Sequence, residues 1–166
     1  MREQPRLGSP MPKTAAGPKS ALELDDFLCF AIYSAGHAFN RFYKPLLDEL
    51  GLTYPQYLVL TALWAGDSQT VGSLGGKLFL ESNTLTPLIK RLEAMGFLTR
   101  SRDPADERQV RVRLTAEGAG LRTKACHVPA DVLQATGLSA EALRSLKGEI
   151  ARVRDSLLKA SSARDH

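Results

Sequence analysis

The spacing of apolar positions changes along the chain, and each change predicts an element. Leu24, Leu28, Ala31, Ala35, Ala38, Phe42 and Leu46 recur at the helical spacing. Ser20-Ala-Leu-Glu23 offers this helix a capping box, and Asp25 offers a second N-cap. Gly51 can close it in the left-handed conformation. Thr53-Tyr-Pro55 restarts the chain, with Pro55 near the first turn of a buried helix that reaches Trp64. After the break at Gly66-Asp-Ser68, Val71 to Leu80 is a short helix weakened by Gly72, Gly75 and Gly76. Glu81-Ser-Asn-Thr84 opens the next helix, which runs to Ala94 and ends at Met95-Gly96. Phe97 to Arg102 reads as a strand, and residues 103–108 as a charged turn. Gln109 to Leu114 then alternates Val110, Val112 and Leu114 with Gln109, Arg111 and Arg113, the pattern of a half-buried strand. One long helix is expected from Thr115 to about Ala135, and a last one from Ser139-Ala-Glu-Ala142 to about Ala160. The fold class is therefore mostly α with a small β-wing, a winged helix-turn-helix. A lone hairpin is marginal in water, so the wing must lean on the helices or on a partner such as DNA.

Composition narrows the function. Residues 1–19 hold Pro5, Gly8, Pro10, Pro12, Gly17 and Pro18 and few large apolar side chains, which predicts a disordered tail before a single domain over 20–166. No stretch approaches the roughly 20 apolar residues of a membrane span, and Met1 to Ser20 lacks the apolar run of a secretory signal. A cytoplasmic location without membrane partners is expected. Two cysteines in such a chain do not predict a structural disulfide. Cys126-His127 has no further ligands at zinc spacing, so no metal site and no cofactor are expected. Neither a Ser/His/Asp set nor paired carboxylates stand out. Gly72, Gly75 and Gly76 follow no predicted strand, so they are no nucleotide loop and the chain does not read as an enzyme.

The formal net charge of +4 permits nucleic-acid binding without demonstrating it. Its distribution says more. Between residues 82 and 115 there are seven Lys/Arg (90, 91, 100, 102, 108, 111, 113) against four acids (93, 103, 106, 107). The helix that carries Ser82, Asn83, Thr84 and Thr86 early and Lys90 and Arg91 late has the layout of a recognition helix. Short polar side chains there approach base edges, and basic ones reach phosphates. A solvated helix beside an ordinary charged hairpin has the same composition, and the helix-turn-helix-wing order favours DNA. Pro87 leaves two starts open. With Thr86 as cap it takes the first helical position, whereas a start at Ser82 places it where a backbone hydrogen bond is lost.

Four segments together resemble the MarR family, and more narrowly its organic hydroperoxide resistance regulators. They are Leu28-Cys-Phe-Ala-Ile-Tyr33, Leu52-Thr-Tyr-Pro-Gln-Tyr57, Thr84-Leu-Thr-Pro-Leu-Ile-Lys-Arg-Leu-Glu93 and Asp103-Pro-Ala-Asp-Glu-Arg-Gln-Val110. The similarity runs from about Leu24 to Lys159. It implies a winged helix-turn-helix over about 52–115 and a homodimer built from helices at about 20–50 and 116–160. It implies a recognition helix starting near Ser82, and an Arg108 that enters a minor groove of operator DNA while Asp106 holds it. Arg102 is counted with the DNA-contacting residues. Asn83 departs from the family pattern, where a smaller residue is common, and Asn can itself read adenine.

Cys29 in its Leu-Cys-Phe-Ala setting carries the resemblance to the peroxide sensors. Such a thiol reacts as thiolate, so something must stabilise the anion. A helix N-terminus does so only within its first turn, which Cys29 is near if Asp25 caps and far from if Ser20 does. The resemblance implies two hydroxyl donors, Tyr43 and Tyr54. Tyr43 lies fourteen residues beyond Cys29, about 21 Å along one helix, so unless the helix bends back the partner subunit's Tyr43, on an antiparallel mate, is the one to reach it. Cys126 is either a second, resolving thiol or a helix cysteine without a role, since two-cysteine relatives place that thiol nearer Gln134. Tyr33, Tyr57 and Trp64 read as core or pocket wall, and His37 as a surface or dimer-interface residue. The expected function is a repressor that senses organic hydroperoxides through oxidation of Cys29 and then releases its operator. The alternative is a repressor of the same type released by a non-oxidising small ligand.

Overall fold

The computed structural model describes residues 23–164. The predicted tail over 1–19 and the Ser20 cap lie outside them. The chain forms two compact units, one as far as Ala38 and one from Phe39 onward.

The first unit holds a 3-10 turn at Leu24–Asp26 and the beginning of helix α1 (Leu28–Asp48). This corrects the expected start at Ser20 or Asp25. Asp26 and Phe27 donate backbone bonds to Glu23 and Leu24, which closes a separate turn. Phe30 and Ala31 then donate to the Phe27 carbonyl and begin the helix proper. Tyr33 is exposed rather than core; its ring stacks near Phe30 at 6.4 Å and meets His37 edge-on at 4.4 Å.

The second unit contains the rest of α1, then α2 (Tyr54–Ala65), β1 (Gln69–Thr70), α3 (Val71–Leu78), α4 (Ser82–Ala94), β2 (Leu98–Arg102) and β3 (Val110–Leu114). It ends with α5 (Ala116–Lys124), α6 (Val128–Thr136) and α7 (Ala140–Ser162). Gly51 closes α1 with φ +68, and Leu52 N–H reaches back to the Leu47 carbonyl. Thr53 and Gln56 form a capping box at the start of α2, with Pro55 in its first turn. Ser139 caps α7 by accepting from Ala142 N–H at 3.1 Å. Burial of Leu60, Leu63, Leu74, Leu85, Ile89, Leu92, Leu98 and Val112 gives the winged part a core of its own. At about 1.5–3 kcal/mol for each fully buried apolar side chain, this core holds the winged part together.

Two further expectations are corrected. The wing is the hairpin of a three-stranded antiparallel sheet, order β1-β3-β2, because Gln69 and Thr70 pair with Val112 and Arg111. Two residues are too short a run to show alternation. The helix expected from Thr115 to Ala135 is two helices, interrupted at Ala125–His127. Pro129 cannot donate to the turn before it, so it takes a place in the first turn of α6 instead.

The angle between α3 and α4 depends on a tight turn. Phe79 adopts φ 55, ψ 39, and Leu80 N–H bonds to the Gly75 carbonyl. A Cβ on Gly75 would stand 2.9 Å from the Leu80 carbonyl oxygen, so the turn closes only over glycine. No described helix is long and apolar enough to cross a membrane.

Candidate nucleic-acid interface and thiol site

Helix α4 is anchored by Leu85, Ile89 and Leu92, all buried. Ser82, Asn83, Thr84, Lys90 and Arg91 are exposed, and Thr86 is half-buried. The helix starts at Ser82, so Pro87 is its sixth residue and removes the bond to the Asn83 carbonyl. Thr86 Oγ1 donates to the neighbouring Ser82 carbonyl at 2.7 Å. A cleft of about 380 Å³ lined by Thr70, Ser82, Thr86, Arg100, Arg108 and Gln109 joins the start of α4 to the wing.

At the wing tip the structure brings Asp106 and Arg108 together. Asp106 Oδ1 accepts from both the backbone N–H and Nε of Arg108 at 3.1 Å, and Oδ2 accepts from Gln109 Nε2 at 3.2 Å. The bonds from Arg108 and Gln109 hold the Asp106 carboxyl below the usual carboxylate range. The Arg108 side chain is 91% exposed, so its guanidinium projects outward while its base is fixed. Arg102 Nη1 donates to the Glu107 carbonyl at 2.8 Å.

Other wing cations are turned inward. Arg100 donates to Glu93 of α4 from its backbone N–H at 3.0 Å and from Nε at 2.7 Å. Arg111 donates to Asp103 from Nε at 2.9 Å and to the Ser68 carbonyl at 2.5 Å. Asp103 is only 5% exposed. Its carboxyl is held low by the Ala105 N–H and then by Arg111. The count of seven cations on a reading surface is thereby reduced. The sequence assigns no partner to Glu93, Asp103 or Ser68, since partners seven, eight and forty-three residues away follow from β2 packing on α4 and from where the strands meet the turns, not from local spacing.

Cys29, in the first unit, is exposed and is the second residue of α1, well within its first turn. Tyr43 and Tyr54, in the second unit, are brought together with ring centroids 4.6 Å apart, and Tyr57 lies 6.1 Å from Tyr43. Burial, with Tyr54 and Tyr57 beside it, pushes the Tyr43 phenol up to about 12, and burial raises Tyr54 as well. Both phenols keep their protons at neutral pH and can donate. Cys126 is exposed in the turn between α5 and α6. Trp64 is half-buried, and its Nε1 donates to the Gly118 carbonyl at 2.9 Å.

Comparison with known proteins agrees with this architecture. Residues 41–124 match the family model of the SarA/Rot transcriptional regulators. The chain is 45% identical over 159 residues to the transcriptional regulator TtmR of Methylorubrum extorquens, covering 95% of this chain and 82% of that one. It is 43% identical over 129 residues to the organic hydroperoxide resistance regulator of Bacillus subtilis, covering 78% and 88%. The fold superposes on wild-type MarR of E. coli with a TM-score of 0.61 at 26% identity, over 76% and 96% of the two chains. The chain belongs to the MarR family of transcriptional regulators. Relatives and fold alike are those of regulators, not of enzymes. This MarR-family chain also superposes on reduced AbfR bound to DNA, with a TM-score of 0.69 and 35% identity over 81% and 94% of the chains. AbfR, from Staphylococcus epidermidis, has further been solved in overoxidised and disulfide forms. Superposition on PcaV of Streptomyces coelicolor with its natural ligand gives a TM-score of 0.75 at 27% identity, over 83% and 99%.

Proposed function

We propose that this MarR-family regulator is a homodimeric repressor that lets go of its operator when an organic hydroperoxide oxidises Cys29. The observation that carries the reading is an exposed Cys29 thiol in the first turn of α1. Within the second unit, Tyr43 and Tyr54 form an adjacent pair of protonated phenols able to donate. Helix N-termini favour negative charge, and hydroxyl donors favour the thiolate. The 43% identity to a hydroperoxide regulator supports the same reading. In DNA binding, Ser82, Asn83, Thr84 and Thr86 face base edges, Lys90, Arg91 and Arg102 face phosphates, and Arg108 is presented to a minor groove by Asp106.

Two apolar series support the dimer. Leu143, Leu146, Ile150, Val153 and Leu157 follow the three-four spacing of a helix seam along α7, which has no buried residue in the single chain. Leu28, Ile32, Ala35, Phe39 and Phe42 do the same along α1 and are exposed. Fourteen residues of helix, the interval from Cys29 to Tyr43, span about 21 Å, so on this reading each thiol is served by the tyrosine pair of the partner subunit.

In the reaction, the Cys29 thiolate attacks the outer peroxide oxygen. The O–O bond breaks, an alcohol leaves after taking a proton, and the sulfur becomes sulfenic acid. A second thiol, from Cys126 or from a small cellular thiol, displaces water from that sulfur to form a disulfide. The oxidised group no longer accepts the tyrosine bonds, and the spacing of the two recognition helices changes. The likeness to ligand-bound PcaV favours one second reading, a repressor released by a small non-oxidising ligand.

The test is binding to duplex DNA from upstream of the chain's own gene, with and without stoichiometric cumene hydroperoxide. Wild type is expected to dissociate and to rebind after dithiothreitol, while Cys29→Ser stays bound. A wild type that holds the duplex through oxidation removes the sensor role and leaves the ligand-released repressor.

A further inference from the structure

Four of the wing's cations divide into two groups with different geometry, while the exposed Arg113 donates from Nε to Ser68 Oγ at 3.1 Å. Arg108 and Arg102 are exposed, and their bonds are to groups within the same hairpin turn. Arg100 and Arg111 are about 30% exposed and reach across to other elements. Arg100 meets Glu93, on the last turn of the recognition helix, with three donors: its backbone N–H, Nε and Nη2, the last at 2.6 Å. Arg111 meets the buried Asp103 and the carbonyl of Ser68, the residue before β1, which itself has φ 59. Leu114 N–H adds a bond to Asp67 Oδ1 at 2.9 Å in the same loop. Thus one guanidinium ties β2 to α4, and the other ties β3 to the β1 turn.

We infer that Arg100 and Arg111 are positioning residues. They lock the wing at a fixed angle to the recognition helix through Glu93, Asp103 and Ser68, and they make no phosphate contact. This rests on the DNA-binding reading above and sharpens it, because it divides the wing's arginines by role. Glu93 takes the Nε/Nη2 edge of Arg100, and Asp103 with the Ser68 carbonyl takes Nε, Nη2 and Nη1 of Arg111, so both guanidiniums are oriented by groups of the protein itself. The carboxylates also cancel the two charges locally. Fixing the wing angle matters because the exposed Arg108 must reach DNA at the same time as Ser82 to Thr86. A wing free to swing would have to be ordered on binding, at a cost in affinity.

The experiment is operator binding by fluorescence anisotropy over a series of KCl concentrations, on duplex DNA from upstream of the chain's own gene. The full-length reduced variants are E93Q, R100K, R100Q, R111K, the E93Q/R100Q double variant and, as a comparison, R102Q. Each phosphate contact contributes about 0.9 to the salt slope, or about 1.8 when a dimer makes it twice. R102Q is expected to lower the slope by about that amount. E93Q, R100K and R100Q are each expected to weaken binding about fivefold with the slope unchanged, and the E93Q/R100Q double variant to weaken it no further than either single change. R111K is expected to act as R100K does. Lysine keeps the point charge but loses the fork, so a phosphate contact would survive in R100K and a clamp would not. E93Q and R100K preserve size, and a thermal unfolding midpoint close to wild type shows that the chain has folded. Wild-type affinity in E93Q and R100K, or a lowered slope in R100Q, overturns the positioning role. A wild type that binds no duplex at any salt overturns the DNA reading itself, an outcome distinct from either.

Discussion

The winged part and helix α7 are built to opposite rules. The winged part buries its apolar positions within one chain: Val59, Leu60, Leu74, Leu85, Leu92 and Val112 have no exposed surface. Helix α7 is as regular, with a capped start and 23 residues, yet buries none. Ile150 is 44% exposed and Leu157 66%. Helices in water owe most of their stability to packing an apolar face. The contrast therefore separates what one chain completes by itself from an apolar face it leaves open, which the proposed dimer would cover. Under the proposed function the same contrast divides the roles: reading DNA falls to the completed part, and transmitting the signal to the faces left for a second copy.

The largest effect should come from breaking the completed part. A Cβ on Gly118 would lie 1.8 Å from the Phe97 carbonyl oxygen, where α5 crosses the start of the wing. The neighbours are backbone and cannot rotate away. The Gly118 carbonyl also receives the Trp64 indole bond. Gly118→Ala is expected to cost more than about 3 kcal/mol, since overpacking against backbone forces the elements apart. Chemical denaturation followed by Trp64 fluorescence measures it. A variant within about 1 kcal/mol of wild type would mean that α5 and the wing are not locked at this point.

The next effect falls on α7. Ile150→Glu puts a charge in the middle of the three-four series. It is expected to weaken the dimer by about a hundredfold or more, because an unpaired carboxylate cannot be buried cheaply. Sedimentation at several concentrations reads this directly. The winged core should keep its Trp64 signal, since no core residue lies on α7. If the Trp64 signal is lost together with the dimer, the two parts are one folding unit and the contrast above fails.

The same division explains what was legible in the sequence. Alternation locates β3, while start signals locate α2 (Thr53-Tyr-Pro55), α4 (Glu81-Ser-Asn-Thr84) and α7 (Ser139). Pro87 in the recognition helix was readable only through the family resemblance, since propensity places it at a first turn. The pair Gln69-Thr70 is a strand only because Val112 and Arg111 lie opposite, and tertiary pairing leaves no local pattern. Pro129 is a visible signal for the break before α6 that the helix expected over 115–135 takes no account of. Cys29, Asp106 and Arg108 were legible as residues. The family resemblance already implies that Asp106 holds Arg108, whereas that Arg100 and Arg111 are held inward by acids is visible only in the fold.

The smallest effect sharpens the comparison most, because it asks where the tyrosine environment comes from. Tyr43 is pushed up to about 12 by burial and by Tyr54 and Tyr57, all of them within the second unit of one chain. A phenol whose folded pKa lies above its ordinary value of about 10 stabilises the fold in full below pH 10. That contribution is lost as pH rises from about 10 toward 12, because ionisation is easier in the unfolded chain. Ultraviolet titration should therefore show one class of phenols ionising late, and Tyr43→Phe should remove its last step. If the environment is complete in one chain, Ile150→Glu leaves that late step in place even as monomer. If the step moves down by a full unit on dissociation, the partner subunit supplies part of the burial. The tyrosine pair would then belong with the faces finished by association, on the signal side of the molecule and not on the DNA-reading side.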